Sequence, residues 1–182
     1  METIATTSNI AVFWDYENCS VPQRVTTTEA CCRIKESTTR YGKIIPGNFR
    51  VYANQRLISS ISDEEAEYNH IIKVPVMTAG KDSADKVIIA DIWAYAWDHL
   101  KTQYNSKYCQ GQEYSAPTLV VISTDMDFFD SLRKLRERGF NTVVIHNASV
   151  HESVSECCNE SLDWYKLVRG VPIQRQHKLL NV

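Results

Sequence analysis

Three short stretches of this chain are apolar at nearly every position: Asn9 to Trp14 (NIAVFW), Thr118 to Ile122 (TLVVI) and Thr142 to His146 (TVVIH). A strand with one face in water alternates apolar and polar side chains, whereas a strand covered on both faces reads as one continuous apolar run. These stretches therefore belong to a parallel sheet sandwiched between helices. Phe49 to Ala53 and Ile71 to Met77 read as two further strands, the second carrying Pro75, which suits an edge. Between them lie helical segments at Thr28 to Arg40, Leu57 to Tyr68, Ser83 to Trp97, Phe128 to Arg138 (closed by Gly139) and His151 to Val168. Strands alternating with helices give an α/β fold built from right-handed βαβ units.

At 182 residues, with 43 % hydrophobic and 23 % charged residues, the chain has the make-up of one well-cored globular domain. Its net charge of −2 excludes polyanion binding by global attraction, though not a local phosphate site. No run is long and apolar enough to span a bilayer, and no secretory signal pattern opens the chain. The six cysteines show neither CxxC nor zinc-ligand spacing. The adjacent pairs Cys31–Cys32 and Cys157–Cys158 read as small hydrophobes on helices in a reduced, intracellular compartment. The cytoplasm is the expected location, with the nucleus as the alternative.

In a parallel sheet, functional groups gather beyond the carboxyl ends of the strands. Asp15 and Asn18 follow the first strand, Asp125 and Asp127 follow TLVVI, and Asp85 opens the helix after TAGKDSAD. Each acid taken singly is what a solvated loop carries. Together, acids from three distant segments make a shared site the better reading. A set of oxygen donors without thiolate or imidazole suits Mg²⁺ or Mn²⁺, which relieves the repulsion between carboxylates and activates water against a phosphate. Asp82 and Asp130 read as loop and helix-terminal charges. Asp91, six residues past Asp85, is turned off that residue's face, as a secondary member of the site or a hydrogen-bonded buried acid.

The segments VFWDYENCSVP, GKDSADKVIIADI and ISTDMDFFDSLRKLRERGFNTVVI also resemble, in order, the motifs of the NYN domain of the PIN-like nuclease superfamily. The similarity is to its limkain and meiosis-arrest-female branch. It extends from about Asn9 to Asn147. It implies a Rossmann-like, three-layer α/β/α fold with a mostly parallel central sheet, one NYN domain over residues 8–169, and short tails at 1–7 and 170–182. It further implies divalent-metal-dependent cleavage of RNA in RNA metabolism or gene silencing. Asp15, Asp85, Asp125 and Asp127 then carry over as metal-binding acids, with Asn18 as a companion polar group. Thr124, Met126 and Tyr16 depart from the pattern without removing a carboxylate.

Arg133, Lys134, Arg136 and Arg138 follow the acidic pair, and Lys81 and Lys86 flank Asp85. Among these, Lys86 and Arg133 are the expected phosphate contacts, against the alternative of a solvated, internally paired helix face. Tyr104, Tyr108 and Tyr114 with Lys101 and Lys107, read as part of a long loop from Asp98 to Pro117, suit base stacking or a plain surface excursion. No Ser/His nucleophile pattern is present, at Ser20, Ser123 or elsewhere.

The expected function is an endoribonuclease acting on single-stranded RNA. Water activated by one or two Mg²⁺ or Mn²⁺ ions attacks the phosphorus in line and leaves a 5′-phosphate. The rivals are a catalytically weak or inactive RNA-binding scaffold in an RNA-decay complex, a phosphatase on the same fold, and a partner-binding domain. A homodimer or an RNA-targeting partner protein is the expected source of RNA choice.

Overall fold

The computed structural model describes residues 8–77, 83–108, 117–147 and 154–171. At its centre lies a six-stranded sheet in the order β3-β2-β1-β4-β5-β6. The strands are β1 (Asn9–Asp15), β2 (Lys43–Asn54), β3 (Ile72–Val76), β4 (Thr118–Ile122), β5 (Asn141–His146) and β6 (Glu160–Asp163), and every neighbouring pair is parallel. The most apolar strands, β1 and β4, occupy the middle, and Pro75 sits on the edge strand β3, where its missing N–H costs no ladder bond.

The pleat of β1 divides the core in two. Ile10, Val12 and Trp14 face one apolar cluster, and Ala11 and Phe13 face the other. The first cluster is closed by the helices α1 (Thr27–Thr38), α2 (Gln55–Ile58), α3 (Asp63–Asn69) and α7 (Trp164–Arg169). The second is closed by α4 (Ser83–Tyr108), α5 (Phe129–Arg136) and α6 (Val154–Cys157). Helices on both faces of a parallel sheet give the expected three layers.

Several elements differ from the expectation. The helix expected at Leu57 to Tyr68 is two helices, because Ser62 caps α3 with a capping box to Glu65 and forces a fresh start there. The second strand begins six residues earlier, at Lys43. It carries a bulge where pairing jumps from Ile10↔Ile44 to Val12↔Phe49, with Gly47 at a φ of 90° in the looped-out stretch. Helix α4 runs on to Tyr108, so Lys101 is helical rather than in a loop. The side chains of Tyr104, Lys107 and Tyr108, together with Tyr114, Lys81 and Asp82, lie outside the described residues. Of the two adjacent pairs, Cys31, Cys157 and Cys158 are buried as expected, but Cys32 is exposed and Cys158 lies just past α6; Cys19 is buried as well.

The largest correction is at the C-terminal segment. In place of one helix from His151 to Val168, the described part holds α6, the strand β6 and then α7. Asn159 breaks the helical course. Its N–H donates to the Thr142 carbonyl (2.8 Å), and its Oδ1 accepts from Thr142 N (2.9 Å). Glu160 is buried in β6 because Arg40 and Tyr41, from a 3₁₀ turn after α1, both bond its carboxylate. A buried acid without such partners would be too costly for a strand of this length.

Candidate metal centre

The loop after β1 is fixed from beneath by two tryptophans. Trp14 Nε1 donates to the Cys19 carbonyl (2.8 Å) and Trp164 Nε1 to the Ser20 carbonyl (3.2 Å), the two rings meeting edge to face at 5.2 Å. This satisfies the indole donors and freezes the turn that follows Asp15. Asp15 itself is fully buried. Its Oδ2 accepts from Asn18 Nδ2 (2.6 Å) and Ser123 Oγ (2.8 Å), and its Oδ1 accepts from Asn18 N (3.3 Å). Burial pushes its carboxyl above the usual carboxylate range; these bonds oppose that rise and the charge of Glu17 adds to it. The Cys19 thiol is pushed up to about 12 by burial and by Asp15, so it stays protonated at neutral pH. Glu17 is exposed and accepts from both nitrogens of Asn54, tying the loop to the end of β2.

Beyond β4 a relay of short-range bonds sets the acidic pair. Ser123 N donates to the Ile145 carbonyl (3.1 Å), which leaves its hydroxyl to donate to Asp15 and accept from Asp125 N (3.0 Å). Asp125 Oδ1 then accepts from Asp127 N (2.9 Å), capping the 3₁₀ turn Met126–Phe128 that leads into α5. Asp85 enters from across the sheet end, buried in the first turn of α4, where the helix dipole favours a negative charge.

One carboxylate oxygen each from Asp85, Asp125 and Asp127 lies within 4.8 Å of the others. Around an octahedral Mg²⁺, adjacent ligands stand about 3.0 Å apart and opposite ones about 4.2 Å, so the three oxygens can take up one hard divalent cation by drawing inward. Asp125 and Asp127 have no cationic partner among the described residues. Asp15, expected as a fourth member, adjoins this group through Ser123. Its own oxygens are engaged by Asn18 and Ser123.

The other expected residues are placed as follows. Asn18 serves Asp15 through both its amide groups, main chain and side chain. Lys86 is exposed on α4. Arg133 pairs with Asp130 (2.6 Å), Arg136 donates to the Cys158 carbonyl (3.1 Å), and Arg138 donates to the Lys134 carbonyl (2.7 Å) while lying over the Trp93 ring. Much of the basic run on α5 is thus engaged within the protein. Asp91 accepts from the Tyr52 hydroxyl (2.8 Å), with Arg50 at 4.0 Å, and stands apart from the acidic group. Ser123 is the residue the sequence reading missed. In the sequence it stands out only as a nucleophile candidate, although a hydroxyl directly after an apolar strand and two residues before an acid is the signal for a side-chain turn.

The profile of the NYN domain matches residues 9–104 of this chain. The mouse (Mus musculus) protein "Meiosis regulator and mRNA stability factor 1" is 26% identical over 192 residues, an alignment taking in 100% of this chain and 10% of the mouse protein. Its counterpart of the same name in Bos taurus is 27% identical over 168 residues (90% and 8%), and that in Xenopus tropicalis 25% over 167 residues (90% and 9%). The chain spans no more than a tenth of the length of these curated relatives.

Proposed function

The chain belongs to the NYN domain family, and from that premise we propose that it is a divalent-metal-dependent endoribonuclease that hydrolyses single-stranded RNA. PIN-like α/β domains of this kind are generally nucleases, and the relatives' name speaks of mRNA stability. The observation that carries the reading is the convergence of Asp85, Asp125 and Asp127 at the carboxyl end of a parallel sheet.

In this reading Asp85, Asp125 and Asp127 hold Mg²⁺ or Mn²⁺. Bound there, the ion supplies an activated water and offsets the charge that builds on the scissile phosphate. Asp15 positions Asp125: its carboxylate fixes the Ser123 hydroxyl, and that hydroxyl fixes the Asp125 main chain. Asn18 holds Asp15 in place, and the Trp14 and Trp164 bonds hold the loop that carries Asn18. Met126, 56% exposed between the two acids, offers an apolar surface for a neighbouring base. Arg133, exposed on α5, is the phosphate contact on the far side of the acidic pair, exchanging Asp130 for RNA.

Purified protein given single-stranded RNA with Mn²⁺ or Mg²⁺ is expected to cut it internally, and EDTA or Asp85→Asn to stop the cutting. Cleavage that survives both treatments contradicts the reading. RNA retention without cleavage under either metal favours the non-catalytic alternative instead.

A further inference from the structure

Helix α4 is apolar on both its inner and its outer side. Its inner residues Ala84, Ile88, Ile92, Tyr95 and Ala96 pack against the sheet. Its solvent side carries Val87, Ala90, Ala94 and Trp97, all exposed, with Trp97 at 61%. Positions 87, 90, 94 and 97 recur at helical spacing, so they form one continuous stripe along about three turns. Single exposed apolar residues are ordinary, but a contiguous stripe ending in a tryptophan marks a surface that is covered in use.

The stripe is its own complement when the helix is turned end for end. Val87 and Trp97 lie five residues either side of the level of Ile92, and Ala90 and Ala94 lie two residues either side. Lys86 and Asp98, six residues either side of that level, are both exposed and belong to no ion pair among the described residues. We propose that a second copy of this chain docks on this face, the two α4 helices crossing antiparallel about a twofold axis that passes the outer face at the level of Ile92. Trp97 of each copy then covers Val87 of the other, and the two alanines allow close approach of the backbones at the centre. Lys86 of each copy meets Asp98 of the other at both ends. Such an isologous contact repeats every favourable pair twice, and the charges set the antiparallel direction.

The interface is one helix face wide, so the association is weak and concentration-dependent. It assigns Lys86 to the partner chain rather than to RNA, and it holds whether or not the acidic group cleaves RNA.

Sedimentation velocity of the full chain across a concentration series reads the prediction directly. Wild-type protein is expected to shift from monomer towards dimer. Trp97→Ala and Asp98→Lys are each expected to weaken the dimer by about tenfold or more. Adding Lys86→Asp to Asp98→Lys re-forms the ion pair with its signs exchanged, and is expected to return the affinity to within about threefold of wild type. All the altered side chains are exposed, so melting temperatures at dilute concentration report that the fold is intact. A wild-type chain that stays monomeric throughout overturns the proposal. So does self-association that is indifferent to Asp98→Lys, or that the double exchange fails to restore.

Discussion

The two ends of the same sheet are built in opposite ways. Where β1 and β4 finish, Asp85, Asp125 and Asp127 crowd within 4.8 Å of each other. Where β1 and β2 begin, Ile10, Phe49, Lys35, Lys43 and His70 line a hollow of about 300 Å³ with no acid in its wall. The polar groups around that hollow are largely committed. Lys35 Nζ donates to the Asn69 carbonyl (3.0 Å), Thr38 Oγ1 to the Ile34 carbonyl (2.8 Å), and Asn69 Nδ2 to Thr28 Oγ1 (2.9 Å). At the acidic end the hydrogen bonds do the reverse, holding carboxylates near one another in an arrangement that suits a cation. Concavity and chemistry therefore separate in this molecule. The hollow is a dent in a largely satisfied surface, and the site is a concentration of like charge.

The largest effect tests what the two ends share. Trp14 is fully buried beside Asp15 in β1, and its ring packs on Phe49, which lines the hollow, so Trp14→Ala is expected to cost about 3–5 kcal/mol in urea unfolding. That would damage both ends together, and an unaltered unfolding midpoint would mean that β1 does not tie them. Next, Ser123→Ala leaves Asp15 Oδ2 and Asp125 N short of a partner. RNA cleavage is expected to fall by about 10–100-fold, with a stability loss of about 1–3 kcal/mol. The matched change at the other end, Lys35→Ala, should leave the cleavage rate within about twofold. Equal losses from the two substitutions would dissolve the contrast between the ends.

A smaller effect follows from the raised pKa of Asp15. A carboxyl whose folded pKa lies above its unfolded value favours folding fully below the unfolded pKa and loses that contribution as pH rises through the folded one. Asp15→Asn removes this titration. In EDTA, the melting temperature of the variant relative to wild type should climb as pH rises from the acid range towards neutrality, then level off. A difference that stays flat with pH, or falls, would show that hydrogen bonds outweigh burial at Asp15.

How legible these features were in the sequence depended on how local their causes are. The strands β1, β4 and β5 were readable because burial on both faces leaves an unbroken apolar run. The nearness of Asp85, Asp125 and Asp127 was readable because each follows a strand end or opens a helix, where the fold class gathers polar groups. The strand β6 was not readable, since Glu160 reads as a surface acid until Arg40 and Tyr41, 120 and 119 residues away, close on it. The part played by Ser123 was hidden for the same reason, since its partner Asp15 is 108 residues distant. The basic run from Arg133 to Arg138 reads either as phosphate contacts or as an internally paired face, and the second holds for Arg136 and Arg138, whose guanidinium groups bond main-chain carbonyls of the protein itself.

Calorimetric titration of Mn²⁺ into the RNA-free protein tests the acidic end most directly. Wild type and Lys35→Ala should bind the ion alike, while Asp85→Asn, Asp125→Asn and Asp127→Asn should each lose most of the affinity. Undiminished Mn²⁺ binding in all three variants would contradict the assignment of these carboxylates as a cation site.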